Sequence, residues 1–300
     1  MKRTIPIVVL VGLAAIVLAA PAAADLSSKL GALSGDNAKG YLSPMPKALS
    51  ATLNSSIFQS GKVPLKSVEL SLGIHVMGVN VKDEDRTFLP TDPAGFQSVT
   101  PTRVPTIIGD GTAVPVDGVG GTILNYPGGF DIKSFVVAAP ELTVGSIFGT
   151  RAVVRWISLT VGDSDFGKVD LFGIGGQHSI SQYLPKLPVD LACGLFYQTF
   201  KLGDGILDTK ALHFDVTASR DFGAVVKIAP YVGLGYDTFK MDVAYTSTLD
   251  PADRIAVSMD NQSNAHLTLG AQLRLPGVAL HGEFNAAANT GAAVGLRFGR

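Results

Sequence analysis

Apolar and polar residues alternate one for one along much of this chain. In 278–286, Val278, Leu280, Gly282, Phe284 and Ala286 share one face, and Ala279, His281, Glu283 and Asn285 share the other. Residues 266–275 repeat the pattern: Leu267, Leu269, Ala271, Leu273 and Leu275 oppose His266, Thr268, Gly270, Gln272 and Arg274. Leu212, Phe214, Val216 and Ala218 oppose His213, Asp215, Thr217 and Ser219, and Leu70, Leu72, Ile74 and Val76 oppose Glu69, Ser71, Gly73 and His75. Successive side chains of a strand point to opposite sides, whereas a helix would scatter these residues around its axis, so the period of two predicts strands. With turns between them, ten are predicted, over 68–82, 134–147, 151–160, 167–180, 188–202, 210–220, 226–245, 254–275, 277–286 and 292–299. Two are less regular. Segment 167–180 mixes both phases. In 226–245 the apolar phase shifts near Tyr236-Asp237, from Ile228, Val232 and Leu234 to Phe239, Met241 and Val243, which predicts a bulge or an extra turn.

The connections alternate in length. Phe148-Gly149-Thr150, 220–224 and Pro276-Gly277 are short, while 203–209, 246–253, 287–291 and above all 82–133 are longer and more polar. An even strand number with short turns at one end and longer loops at the other predicts an all-β fold, a single antiparallel transmembrane barrel of the outer-membrane kind. Val-Pro and Gly-Gly pairs in 82–133 leave room for one more hairpin, so the expectation is ten to twelve strands in 59–300. Segment 25–58 differs. Leu26, Leu30 and Leu33, and then Met45, Leu49 and Leu53 after a Ser43-Pro44 start, follow helical spacing and predict two short amphipathic helices. They would either plug the lumen or pack beneath the barrel.

Composition narrows the alternatives. Charged residues are 16% of the 300, against about 25% in ordinary soluble domains. Mean hydropathy is +0.31. Beyond residue 24 no apolar run is long enough for a membrane-spanning helix. A soluble sandwich would also alternate, but its outer face is normally rich in Lys and Glu. Here the polar phase holds small residues and single charges, which suits a lumen, with outer-membrane lipid against the apolar phase. Net charge is −1, which points to no nucleic-acid partner. Residues 1–24 carry Lys2 and Arg3, an apolar core and Ala22-Ala23-Ala24, and predict a signal peptide cleaved after Ala24 and export to the outer membrane. Cys193 is the sole cysteine and is read as a small apolar residue on a strand.

The chemistry sits in the polar phase. Glu69, His75, Glu141, Arg155, Asp190, His213, Asp215, His266, Arg274, His281, Glu283 and Arg297 are the predicted lumen-facing residues. They would either line a selective pore or form an ion-paired core that fills a narrow barrel. The histidines lie on separate strands without a local ligand motif, so no metal site and no cofactor are predicted. The Gly203-Asp204-Gly205 and Asp110-Gly111 segments lack the spaced ligands of a calcium loop and read as polar turns. Sequence signatures of a nucleophile elbow, a zincin or a phosphate loop are absent. His178 alternates with Ser179 and Ser181, which places imidazole and hydroxyls on opposite faces and argues against a hydrolase pair.

The segments Leu33-x-x-x-Asn37-Ala-Lys-Gly-Tyr-Leu-x-Pro44, Tyr126-Pro-Gly-Gly129 and Gly173-Ile-Gly-x-x-His178-Ser-Ile-Ser-Gln-Tyr-Leu-Pro185 resemble an uncharacterised family of outer-membrane β-barrel proteins from Bacteroidetes-like bacteria. The resemblance spans the mature chain and implies a barrel in the outer membrane, with no assigned substrate or site residues. Such barrels usually end on an aromatic residue recognised by the barrel-assembly machinery; here Phe298 is followed by Gly299-Arg300. The function expected is passive or gated passage of small or hydrophobic solutes. The alternative is a non-conducting structural or surface-interaction barrel with a filled polar lumen.

Overall fold

The computed structural model describes residues 26–160, 168–247, 254–261 and 264–299; the signal peptide expected over 1–24 lies outside them. In chain order the elements are α1 (Leu26–Gly31), α2 (Gly35–Leu42), α3 (Pro44–Leu53), β1 (Glu69–Asn80), β2 (Thr87–Phe88), β3 (Val104–Pro105), β4 (Val114–Asp117) and β5 (Ile123–Tyr126). Then come β6 (Ser134–Ile147), β7 (Thr150–Thr160), β8 (Lys168–Ser179), β9 (Asp190–Leu202), α4 (Gly203–Ile206), β10 (Leu207–Ser219), β11 (Lys227–Thr246), β12 (Arg254–Asp260), β13 (Ala265–Leu275), β14 (Val278–Ala286) and β15 (Thr290–Gly299). No described helix is long and apolar enough to cross a membrane.

Ten antiparallel strands close a barrel in the order β1-β6-β7-β8-β9-β10-β11-β13-β14-β15, with β15 returning to β1. The closing register runs from Ser71↔Gly299 to Val79↔Gly291. It sets Leu72 beside Phe298, Ile74 beside Leu296 and Val76 beside Val294 on the outside, and His75 beside Gly295 inside. A slip of one residue would exchange the two faces, so the alternation itself pins the closure. The short ladders β2–β3 and β4–β5 pair only with each other inside 81–133. The allowance for twelve strands therefore resolves at ten.

Turns 148–149, 180–189, 220–226 and 276–277 gather at one rim, the turn end. Segment 81–133, α4 and 287–289 gather at the other, the loop end. Between these rims the wall changes character. In the half nearer the turn end, the outer face is apolar and exposed (Ile74, Ile174, Leu195, Phe214, Leu234, Leu269, Leu280, Leu296) while the inner face is polar. In the half nearer the loop end the faces exchange. Lys168–Asp170, Lys201–Asp208 and Lys240–Asp242 pair on the outside, and Met77, Phe135, Leu171, Phe200, Met241 and Val243 are buried inside.

This exchange explains β11. It is one uninterrupted strand, with Ala229, Tyr231, Asp237, Phe239, Met241, Val243 and Tyr245 all inward. The bulge expected at Tyr236-Asp237 is not there. The phase shift marks the level where the outer wall stops being apolar and the inner wall meets apolar helices. Ile228 to Tyr236, at ~3.4 Å per residue and a tilt of about 40°, gives roughly 21 Å of apolar height, near the ~25 Å band of outer-membrane barrels. The irregularity lies instead on the neighbouring strand. The single strand expected over 254–275 is split, β12 pairing with Lys240–Thr246 and β13 with Lys227–Tyr236, and its inward phase changes from Val257 to His266.

The lumen is occupied by the N-terminal segment. Leu30, Leu42, Leu49 and Leu53 are buried against Met77, Phe135, Leu171, Leu207 and Met241 in one apolar cluster. From α1 near Tyr245, whose hydroxyl donates to Leu33 O (3.2 Å), the chain descends to Ser60, which meets Ser219 at the turn end (3.2 Å). Three helices form rather than two. Ser43 is itself helical (φ −52°, ψ −29°) and its side chain makes no capping bond, so α3 follows α2 almost directly.

Candidate functional site

Where α3 ends, a helix leaves carbonyls without intrahelical partners. Arg155 on β7 supplies donors: Nη1 reaches Leu53 O (3.2 Å) and Ser55 O (3.3 Å), and Nη2 reaches Ser56 O (2.5 Å). The same Nη2 donates to Glu141 Oε2 on β6 (2.9 Å). Gln198 on β9 donates to Leu53 O (2.9 Å) and Asn54 Oδ1 (3.0 Å). Ser56 then takes the left-handed conformation (φ 57°), which is uncommon for a residue with a side chain. Its N–H donates to Glu283 Oε1 on β14 (2.7 Å). Its hydroxyl sits between His75 Nδ1 on β1 (2.8 Å) and His281 Nε2 (2.7 Å). A hydroxyl donates one proton and accepts others, so Ser56 can bond one nitrogen of each imidazole at once. Tyr231 on β11 donates to the second oxygen of Glu283 (2.7 Å). The N-terminal segment is thus held by polar contacts from β1, β7, β9 and β14.

A second cluster lies beside it. Asp237 on β11 accepts from His213 Nδ1 on β10 (2.6 Å) and from His266 Nδ1 on β13 (2.8 Å), one ring on each oxygen. Asn285 fixes the second ring. Its amide nitrogen donates to Glu283 Oε1 (2.8 Å), which leaves its oxygen to accept from His266 Nε2 (2.9 Å) and Thr268 (2.8 Å). Reversing the amide would set oxygen against carboxylate, so His266 donates from both nitrogens. His213, Asp237 and His266 also form a buried group whose potential ligand atoms lie within 4.8 Å of one another; they could hold a metal ion only after His266 gave up a proton. The expectation of no metal site looked for local spacing. This set is assembled across three strands.

Seven of the twelve predicted residues therefore meet at these two clusters: His75, Glu141, Arg155, His281 and Glu283 around Ser56, and His213 and His266 around Asp237. Asp215 is buried next to the second cluster and accepts from Thr217. Glu69, Asp190, Arg274 and Arg297 lie toward the turn end. Glu69 pairs with Arg151 (3.3 Å) and Arg274 with Asp221 (2.8 Å). Burial alone would raise the Asp221 carboxyl; the hydrogen bond from Lys62 and the charges of Arg274, Lys62 and Lys227 outweigh it and hold it below its ordinary value. Sequence reasoning missed Asp237, placed at the supposed bulge, and the amides Gln177, Gln198 and Asn285. The unbroken odd phase of β11, with Gly233 and Gly235, was the available signal for Asp237. His178 contacts Thr150 (2.7 Å), Tyr183 (3.0 Å) and Gln182 (2.8 Å), not the serines beside it.

Large inward side chains of the wall lie flat on glycines of the neighbouring strand. A β-carbon at Gly175 would come within 2.6 Å of Phe196, at Gly270 within 2.3 Å of Tyr231, and at Gly295 within 2.2 Å of His281. These rings hug the wall and leave the barrel axis to residues 26–60. At the loop end, 81–133 is bound to the helices below it. Tyr41 OH donates to Gly128 O (3.0 Å), Lys29 Nζ to the same oxygen (2.6 Å), and Asn37 and Thr91 exchange two bonds of 2.9 Å. Gly128 passes so close to Gly111 that a β-carbon would lie 2.2 Å from its carbonyl oxygen.

Three solved outer-membrane or transport proteins align with the chain at low similarity. They are the loop-L8 deletion mutant of OmpT, an outer membrane protein of Vibrio cholerae (12% identity, 78% of this chain and 99% of that one, TM-score 0.26); the Ralstonia pickettii toluene transporter TbuX (10%, 80% and 91%, TM-score 0.21); and a mutant of the Rh. blastica porin (13%, 78% and 99%, TM-score 0.16). No curated protein matches. The model of a family of unknown function, DUF6588, matches residues 1–300, and the chain belongs to that family.

Proposed function

We propose that this member of the DUF6588 family is an outer-membrane barrel that passes small or hydrophobic solutes only when its N-terminal segment shifts, and that the arrangement described is the closed one. The observation that carries this reading is the division of the lumen. The wall keeps its bulky rings flat against neighbouring glycines, and the axis is filled by a separate stretch of chain. A barrel meant only to be solid could fill its axis with wall side chains. The hydrogen bonds that Arg155, Gln198, His75 and His281 make to residues 53–56 have polar walls on one side, which water would solvate once the segment moved.

The loop end is assigned to the outside and the turn end to the periplasm, following the usual asymmetry of these barrels. A second reading has its own support. In the half nearer the loop end α1–α3 pack against an apolar wall and are covered by 81–133, as in a permanently filled, non-conducting barrel. Conductance in planar bilayers separates the two. The full chain is expected to show rare or no openings, and a chain lacking 26–60 to conduct steadily. A variant without the segment that folds, judged by its heat-dependent gel mobility, and stays silent would sink the passage reading.

A further inference from the structure

Between the returning segment 62–68 and the start of the barrel wall lies a cavity of about 600 Å³ that opens at the turn end. This is within the size range of ligand sites, about 300–1,000 Å³. Its charge is unbalanced. Lys62, Arg151, Lys227, Arg274 and Arg297 line it, against Glu69 and Asp221. Asp221 serves three of the cations: Arg274 at 2.8 Å, Lys62 at 3.0 Å and Lys227 at 4.0 Å. Glu69 Oε1 serves Arg151 at 3.3 Å.

That leaves Arg297. It is half-buried and on the inward phase of β15, and it makes no hydrogen bond or ion pair among the described residues. A guanidinium carries five N–H donors in a planar fork matched to carboxylate or phosphate. Holding one without an acceptor inside a barrel is costly unless water or an anion completes it. The cavity also has an apolar side, including Pro64, Val225, Leu275 and Val278, with Ser67, Ser71 and Gln272 as its remaining polar side chains.

We propose that this cavity is a binding site for an oxyanion head, carboxylate or phosphate, carried on a short apolar chain, with Arg297 as the anchor of the head and the Pro64–Leu275 side receiving the chain. Arg274 and Lys62 raise the local positive potential without surrendering their bonds to Asp221. Glu69 Oε2 and Glu141 Oε1, neither with a hydrogen-bond partner, are the carboxylate oxygens that compete for Arg297. The site is open with the N-terminal segment in place, so it stands independently of whether the barrel conducts.

Calorimetric titration of the full chain in maltoside micelles tests it, with octanoate, octanol and inorganic phosphate as probes. Octanoate is expected to bind and octanol not. Arg297→Gln is expected to weaken octanoate roughly tenfold or more, the scale of one charged hydrogen bond, with Arg297→Lys intermediate and Glu69→Gln tighter than wild type. Phosphate binding as tightly as octanoate would identify the free ion as the source of the head and remove the chain from the proposal. Should Arg297→Gln fail to fold, Val68→Glu, at a position 84% exposed on the cavity lining, carries the same test and is expected to weaken binding. Equal binding of octanol, or octanoate binding untouched by both Arg297→Gln and Val68→Glu, would overturn the proposal.

Discussion

Arg155 and Glu141 are register partners on β7 and β6, joined at 2.9 Å with both side chains sealed from solvent. The pair belongs to the wall, yet the same guanidinium holds the end of α3. Arg155→Ala would strand a buried carboxylate and release three carbonyls of the N-terminal segment. Breaking a buried pair in this way typically costs about 3–5 kcal/mol. Urea unfolding in lipid vesicles is expected to show that loss, and planar bilayers to show openings. Replacing both residues, Arg155→Met with Glu141→Leu, should recover the part of the loss that comes from the stranded carboxylate, while the openings from the released carbonyls persist.

Phe58 lies over Gly194, where an added β-carbon would come within 2.3 Å of the ring and 2.7 Å of Asp215 Oδ1. Gly194→Val should therefore push the segment off the wall at a cost of about 1–3 kcal/mol, the usual scale of overpacking. A lower unfolding midpoint with faster protease cleavage near 54–60 is the expected result. Unchanged cleavage would mean that Phe58 repacks in place.

Tyr41 is buried, and its hydroxyl is the contact between α2 and the Pro127-Gly128-Gly129 stretch of the loop-end cover. Tyr41→Phe keeps the ring but leaves Gly128 O one donor short, a loss of about 1–2 kcal/mol. Segment 81–133 should become more accessible to protease while the barrel's heat-modifiable mobility stays the same.

Leu234 points outward from β11 and is 66% exposed. In water this would be an ordinary surface residue; in a bilayer an arginine near mid-height costs about 2–4 kcal/mol. Leu234→Arg should destabilise the protein by that amount in vesicles, and Lys240→Arg, on the same face beyond the apolar band, should have little effect.

Asp221 ties Lys62 of the returning segment to Arg274 and Lys227 of the wall, and its carboxyl is held below its ordinary value of 3.8. A carboxyl depressed in the folded state adds stability above its unfolded pKa and loses it as pH falls through the folded one. The contribution should thus be full at neutral pH and fade below about pH 4, the ordinary carboxylate range. Asp221→Asn should lower the unfolding midpoint at pH 7, and the gap with wild type should narrow progressively as pH falls below about 4.

The period of two determined much by itself. It located nine of the ten barrel strands to within a few residues, the start of β13 being the exception, and gave most of them a face. The polar residues named from it are found on the inward phase, because a strand's geometry allows only two directions for a side chain. Helical spacing in 26–53 likewise came from local pattern.

Alternation cannot say what stands across the lumen. That His75, Arg155 and His281 converge on Ser56 follows from the closing register of β1 with β15 and from where α3 ends, both set by residues distant in sequence. That Phe239, Met241 and Val243 are apolar on the inward phase answers to the apolar helices packed inside at that level. That Asp237 joins two histidines, and that Arg297 is the one cation of the turn-end cavity left without a partner among the described residues, follows from which strands become neighbours. Sequence fixes the face of each residue through local backbone geometry. Only closure of the barrel around its own N-terminal segment decides which faces meet.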